Sequence, residues 1–381
     1  MIATFTSTKT FTFAARGPAA RRVAFHHSPP AARYHGPVTR KAKPASTSRG
    51  GVSIQDVAQA AGVSIATVSR VLNQPDLVSA DTAARVRETV RRLGYVPNAF
   101  AQGLSRRSGK VLGIVLPDIH GEFYSELLRG ADEEARRRGF HLLVSSDAHD
   151  HGHPTRSENL AFGLIDGLAL MLTEPNEELW RETIDAALPT VVLDAEVSED
   201  FVDSVGVDNT NGAREATLHL LESVPASRCF FVGGPRENFD SSQRAEAFVA
   251  ALREAGHEPG PTQVAFGEYS IDWGRAWARE RLLHTGLDSC AVLAGNDEIA
   301  LGVMQAAQDA GVAIPGSLRL VGFDDTRIAT LVRPTLSSVH VPMGDVGAAV
   351  VRLLVERVTD SERPARREKL ATRLIVRDSS R

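Results

Sequence analysis

The chain has 381 residues, 43% of them apolar and 24% charged, the composition of a globular protein of two or three domains. No apolar run approaches the roughly 18 residues that a membrane-spanning helix needs. The net charge of −4 is uneven: residues 1–50 carry nine Lys/Arg and no acid, residues 51–110 sum to +4, and the remainder sums to −17. A basic front on an acidic body points to a localised anion-binding surface.

Residues 1–50 are rich in Thr, Ala, Pro and Arg and lack periodicity, so a disordered basic extension is expected. A DNA-seeking arm, a targeting segment and an over-extended start remain open for it. Order is expected from Ser53, which can cap a helix with Asp56 completing a capping box. Val57, Ala58 and Ala61 then share one helical face, and Gly62 ends the helix where a left-handed backbone carries no steric penalty. Ser64 caps a second helix with Val68, Val71 and Leu72 inward and Ile65, Ala66, Ser69, Arg70 and Asn73 outward. Two short helices about a glycine are the plan of a helix-turn-helix, although the bare pattern also occurs in proteins that never meet DNA. A third helix is predicted from a Ser79 cap through Val86, Val90 and Leu93 to Gly94. Pro97 stops it, and Asn98 can cap a short helix from Ala99 to about Ser105.

The stretch "SIQDVAQAAGVSIATVSRVLNQPDLVSADTAARVRETVRRLGYVPNAFAQGLSRRS" resembles, without a gap, the DNA-binding headpiece and hinge of the LacI/GalR family of bacterial transcription regulators. The resemblance implies that Ile65 and Ala66 choose the operator by shape and thymine methyl contact, while Arg70 takes a guanine through O6 and N7. It implies phosphate or register contacts from Ser53, Ser64, Thr67 and Ser69, with Asn73 on the same face. Arg106, Arg107 and Lys110 read as non-specific phosphate contacts or as a solvated basic linker. Leu104 falls where family members drive a leucine wedge into the minor groove from a hinge helix that forms when two copies meet on DNA.

From Val111 onward nine apolar runs alternate with amphipathic stretches: "KVLGIVLPDI", "FHLLVSSDA", "DGLALMLT", "PTVVLDAE", "DSVGVDN", "RCFFVGG", "TQVAFGE", "CAVLAGND" and "LRLVGFDD". The alternation predicts doubly wound parallel α/β architecture, and nine strands predict two similar subdomains. Cys229 and Cys290 each open such a run and read as buried free thiols. Several runs end in polar residues, Asp118 and His120, Asp194, Asn296 and Asp297, Asp324 and Asp325, where open α/β sheets place ligands.

Val111 to Arg381 resembles the effector domain of the same family, whose fold is that of periplasmic sugar-binding proteins, through "LPDIHGEFYSELLRG", "AGNDEIALGVMQAAQDAGVAIPGSLRLVGFDD" and "PTLSSVHVP". The resemblance implies that Arg244 grips ligand, Asp297 accepts hydrogen bonds from sugar hydroxyls and Tyr269 stacks on the ligand, with Phe123, Tyr124 and Asp194 as further contacts. Where the family commonly has Asn-Pro-Phe-Phe, this chain has Gly121, Glu122, Phe123 and Tyr124, which brings a charge to the cleft edge. The run "DAHDHGH", with His149, His151 and His153, is read as a solvated loop rather than a metal site. No P-loop, zincin or nucleophile-elbow motif is present, so neither a catalytic centre nor a cofactor is expected.

The expected organisation is an N-terminal all-α helix-turn-helix headpiece (residues 51–97), a hinge and linker (98–110) and a two-subdomain effector and dimerisation domain (111–381). The first subdomain is placed at about 111–209 and 326–357, the second at about 210–325 and 358–381. The expected function is that of a cytoplasmic, nucleoid-associated bacterial transcription regulator, a repressor that binds a pseudo-palindromic operator as a homodimer. A small, sugar-like effector controls it. The alternative on the same fold is a periplasmic-type sugar-binding protein or a sugar-modifying enzyme.

Overall fold

The computed structural model describes residues 52–95, 109–146, 164–171, 188–194, 202–285 and 289–381. The basic extension, Leu104 and the predicted hinge helix, Arg106, Arg107 and the histidine run lie outside them. The chain divides into two compact units, residues 1–95 and 96–381.

In the first unit, Ser53 and Asp56 form the predicted capping box at the start of α1 (Ile54–Ala61): Asp56 N donates to Ser53 Oγ at 3.3 Å and Ser53 N donates to Asp56 Oδ2 at 2.8 Å. These bonds, first from the Ser53 backbone, hold the Asp56 carboxyl below its ordinary range. Gly62 ends α1 at φ +63°. In α2 (Ile65–Asn73) Thr67 N donates to Ser64 Oγ at 3.1 Å. α3 (Ala80–Leu93) closes on Gly94 at φ +64°, but its predicted cap differs. The Ser79 hydroxyl donates to Thr82 Oγ1 instead of accepting from the backbone, so Ser79 caps by position alone. Val57, Ala58, Ala61, Val68, Val71, Ala83 and Val86 form the small core, edged by half-buried Leu72, Val90 and Leu93.

The second unit holds two six-stranded sheets. The strands are β1 (Val111–Leu116), β2 (His141–Ser146), β3 (Gly167–Met171), β4 (Thr190–Leu193), β5 (Asp203–Val207), β6 (Cys229–Gly233), β7 (Val264–Phe266), β8 (Cys290–Ala294), β9 (Leu318–Asp324), β10 (Ser337–His340), β11 (Arg367–Leu370) and β12 (Arg373–Ile375). The orders are β11-β5-β4-β3-β1-β2 and β12-β10-β9-β8-β6-β7. Every pairing is parallel except β10 with β12. All nine predicted strands are present, and the buried runs of β3, β4 and β8 explain why they read as continuous apolar segments.

The expected subdomain boundaries need correction at two points. β10 pairs with β9 in the second sheet, and β11 pairs with β5 in the first, so the chain changes sheet after β5, after β10 and again between β11 and β12. The physical reason is that sheet membership is set by pairing with strands far away in sequence, and "SSVH" and "REKL" are too short and too polar to announce it. The helices follow the sheets. α4 (Glu122–Arg137) packs on α10 (Met343–Thr359) beside the first sheet, where a Cβ on Gly130 would come within 1.9 Å of the Gly344 carbonyl oxygen. In the second subdomain α5 (Asn209–Leu221) packs on α6 (Phe239–Glu254), and α7 (Ile271–Thr285) on α8 (Asp297–Asp309); the five-residue α9 (Arg327–Leu331) follows β9. Cys229 and Cys290 are free and buried, and burial pushes their thiols up to about 12 and about 11. Among the described residues no helix is long and apolar enough to cross a membrane.

Candidate functional site

On the helix-turn-helix, the inward packing of Val68 and Val71 turns the opposite face of α2 outward. Ile65 is 46% exposed, and Ala66 and Arg70 are exposed beside it. Among the described residues, α2 thus presents an apolar side chain and a cation on its exposed face. Ser64 and Thr67 share a hydroxyl–hydroxyl bond of 2.9 Å at the start of the helix, and Ser53 is exposed although its hydroxyl serves α1. Ser69 is half-buried, and the Asn73 side chain lies outside the described atoms.

In the second unit a cavity of about 240 Å³ opens between the two sheets at the carboxyl ends of their strands. The first subdomain contributes Asp118, His120, Gly121, Glu122, Phe123 and Tyr124 after β1, and Met171 at the end of β3. The second contributes Asn238, Asp240 and Arg244 at α6, Tyr269, then Asn296, Asp297 and Glu298 after β8, and Asp324, Thr326 and Ile328 after β9. Of the six predicted contacts, Phe123, Tyr124, Arg244, Tyr269 and Asp297 thus meet in one place.

Arg244 is only 2% exposed. Its Nε donates to Asn209 Oδ1 at 2.7 Å, its Nη1 to the Gly295 carbonyl at 2.7 Å, and its guanidinium lies 3.8 Å over the Phe323 ring. Asp240 and Asp324 stand 3.6 and 3.7 Å away. Those two bonds and the two flanking carboxyls hold the guanidinium in one plane at the cavity wall. Tyr269 donates to Asn238 Oδ1 at 3.2 Å and lies flat against Gly234, where a Cβ would come within 2.5 Å of the ring. Phe123 and Tyr124 meet edge to face with centroids 5.1 Å apart.

Asp297 does not sit as a free acceptor. Its Oδ2 accepts from Thr326 N at 2.7 Å and Thr326 Oγ1 at 2.9 Å, and its Oδ1 from Ser338 Oγ at 2.6 Å. It is 1% exposed and ties α8 to the ends of β9 and β10. Asp324, at φ +95°, lines the cavity with a side chain 9% exposed; its Oδ1 is buried, forms no hydrogen bond and stands 3.7 Å from Arg244 Nη1. Asp194 departs from the expectation in another way. It follows β4 at φ +50° and lines a neighbouring cavity of about 180 Å³ with Ser204, Asn209, Gln243 and Arg367; Asp240 borders both. Burial, then the Asp240 charge, lifts the Asp194 carboxyl well above its usual range. Asp118, His120, Asn296 and Asp324 were marked by their strand-end positions, whereas Asp240 carried only its place four residues before Arg244. Glu122 bridges the subdomains, its Oε2 accepting from Arg327 N at 2.9 Å.

Burial pushes the Asp297 carboxyl up to about 8 and Asp324 up to about 6. The folded protein therefore holds protons that the unfolded chain has already lost near pH 4. Both groups withdraw stability as pH rises through that window. Thermal melting at about pH 5 and about pH 8 is expected to give the lower Tm at the higher pH, with a smaller fall in Asp297→Asn. An unchanged fall in the variant would contradict the assignment.

Comparison with known proteins finds a family match in each of the two units. Residues 53–98 match the family described as bacterial regulatory proteins, lacI family, and residues 219–380 match the periplasmic binding protein-like domain. Catabolite control protein A of Priestia megaterium is 36% identical over 306 residues, 80% of this chain and 92% of that protein. Its counterpart in Staphylococcus aureus strain Mu50 is 34% identical over 316 residues, 82% and 94% of the two chains. Among solved structures, a complex of the transcriptional regulator CelR with cellobiose is similar at TM-score 0.66 and 30% identity, covering 86% of this chain and 99% of that one. The lac repressor dimer bound to operator and an anti-inducer shares the fold at TM-score 0.76 and 23% identity, over 87% and 99% of the chains.

Proposed function

The chain belongs to the lacI family of bacterial regulatory proteins, DNA-binding regulators of transcription, and from that premise we propose that it is a repressor whose grip on a pseudo-palindromic operator is set by a small polyhydroxylated effector. The observation that carries the reading is the bare outward face of α2, Ile65, Ala66 and Arg70, in the same chain as a polar cleft between two sheets. Two copies place two recognition helices in successive major grooves. Arg70 takes a guanine bidentately, Ile65 and Ala66 meet thymine methyl groups, and Ser53, Ser64, Thr67 and Ser69 fix register on phosphates. The protein acts in the bacterial cytoplasm, where its operators are.

In the cleft Arg244 donates to ligand oxygens, Asp324 accepts from hydroxyls, and the rings of Tyr269, Phe123 and Tyr124 cover the apolar face of the ligand. Because the lining comes from both subdomains, occupancy favours one angle between them, and linkage makes operator and effector change each other's affinity by the same factor. Arg70→Ala is expected to weaken operator binding by about 1–3 kcal/mol and to relax the preference at one base pair of each half-site. Fluorescence anisotropy at one salt concentration decides it, since equal losses on operator and on random DNA would contradict base readout.

A further inference from the structure

At the mouth of the cleft, Gly121 and Glu122 work as a pair. Gly121 lies at φ +89° and ψ 169°, a backbone region open essentially to glycine alone. That turn starts α4 and presents Glu122 as its first residue. Glu122 Oε2 crosses to the second subdomain and accepts from Arg327 N at 2.9 Å, over a separation of 205 residues. Arg327 begins α9, whose Ala329 packs in the core of the second sheet. The first amides of a helix have no acceptor within it. Thr326, in the capping position, accepts none of them, because its hydroxyl donates to Asp297 Oδ2 at 2.9 Å. Thr326 N donates to the same oxygen at 2.7 Å, which fixes the start of α9 in its own subdomain. The carboxylate that meets Arg327 N therefore comes from the opposite wall.

We propose that Glu122 latches the cleft closed in the protein alone, so that the angle on which an effector acts is set by this chain's own carboxylate. The other polar groups of the cleft hold at any angle between the subdomains. Asp297 is satisfied by Thr326 and Ser338, and Arg244 pairs with Asp240 and Asp324, all within the second subdomain. The Glu122 bond differs, since it exists only where the two walls meet. It joins a carboxylate to an N–H, the charge-assisted kind, roughly twice as strong as a neutral bond. A contact made in one state and absent from the other shifts the balance between them by its whole contribution. An effector that favours the closed angle then binds a protein already populated there. The inference rests on the two walls moving relative to each other, as the proposed effector response requires, and makes Glu122 a positioning residue of that response.

The test uses the full chain with no ligand added. Glu122→Ala removes the acceptor, Arg327→Pro removes the donor at a first helical position where proline fits, and Glu122→Gln keeps an accepting oxygen. Small-angle X-ray scattering is expected to give a larger radius of gyration for Glu122→Ala and Arg327→Pro and the parental radius for Glu122→Gln. Combining Ala and Pro is expected to add nothing to either alone, since each breaks the same bond. Arg327→Pro is also expected to speed amide exchange over residues 118–124 on the opposite wall, which fraying of α9 alone would not do. A parental radius in both Glu122→Ala and Arg327→Pro, or a Glu122→Gln protein as open as Glu122→Ala, overturns the latch. Operator affinity by fluorescence anisotropy separates the two readings: a change of about tenfold in the opened variants supports both. An opened cleft with parental operator affinity upholds the latch and counts against effector control of DNA binding.

Discussion

Replacing Asp203 by alanine is expected to destabilise the larger unit by about 3–5 kcal/mol, the cost of stranding buried charge. Asp203 opens β5 and is fully buried. Arg357 donates to it through Nε and Nη2, both at 3.1 Å, Arg363 through Nη1 at 2.9 Å and Nη2 at 2.5 Å, and Arg366 through its backbone N at 2.7 Å. Arg357 and Arg363 are 4% and 9% exposed at their side chains, so neither regains water when the carboxylate is removed. The same carboxylate ties the segment after α10 to the first sheet, just before β11 joins β5. Urea denaturation followed by circular dichroism measures the loss. A loss under about 1 kcal/mol would place the bridge among pairs that contribute little net stability.

Arg244→Met is expected to abolish the effector response and to leave operator binding standing. Methionine keeps apolar packing against Phe323 but removes the cation beside Asp240 and Asp324. Both carboxyls already lie above the ordinary range because of burial, and Arg244 is what pulls them back. Without it the folded protein keeps their protons to still higher pH, so stability falls more steeply as pH rises. The drop in Tm relative to the parent is expected to be larger at about pH 8 than at about pH 5. A variant that still answers the sugar active on the parent protein, or whose Tm difference is independent of pH, contradicts the role given to this residue.

Local chemistry made the helix-turn-helix legible. The Ser53–Asp56 box, Gly62 and the spacing of Val68 and Val71 lie within a few residues of one another, and each is satisfied by its neighbours. Ser79 shows the limit, because Thr82 offered its hydroxyl a side-chain partner. The buried strands β3, β4 and β8 were legible for a similar reason, since parallel strands covered on both faces have little room for polar residues. The alternating exposed pattern of β11 carries no such mark.

In the cleft, strand-end position identified the neighbourhood but not which carboxyl is closed off by hydrogen bonds. Asp297 and Asp324 both follow apolar runs and look alike in sequence. Their difference is made by Thr326 and Ser338, 29 and 41 residues beyond Asp297, which occupy both of its oxygens. Asp194 ends its strand in the same manner yet lies in the adjoining cavity, behind Asp240. Glu122, marked by its departure from the family pattern, acquires a partner 205 residues away that no local rule supplies.

The most direct test of the account is selection of bound sequences from random DNA by the purified protein, followed by salt titration on the winner. The account predicts a near-palindrome with two half-sites about one helical turn apart and affinity that falls steeply as salt rises. It also predicts that Arg70→Ala relaxes one position in each half. Failure to enrich any sequence above background, with the same weak binding to every DNA tested, would contradict it.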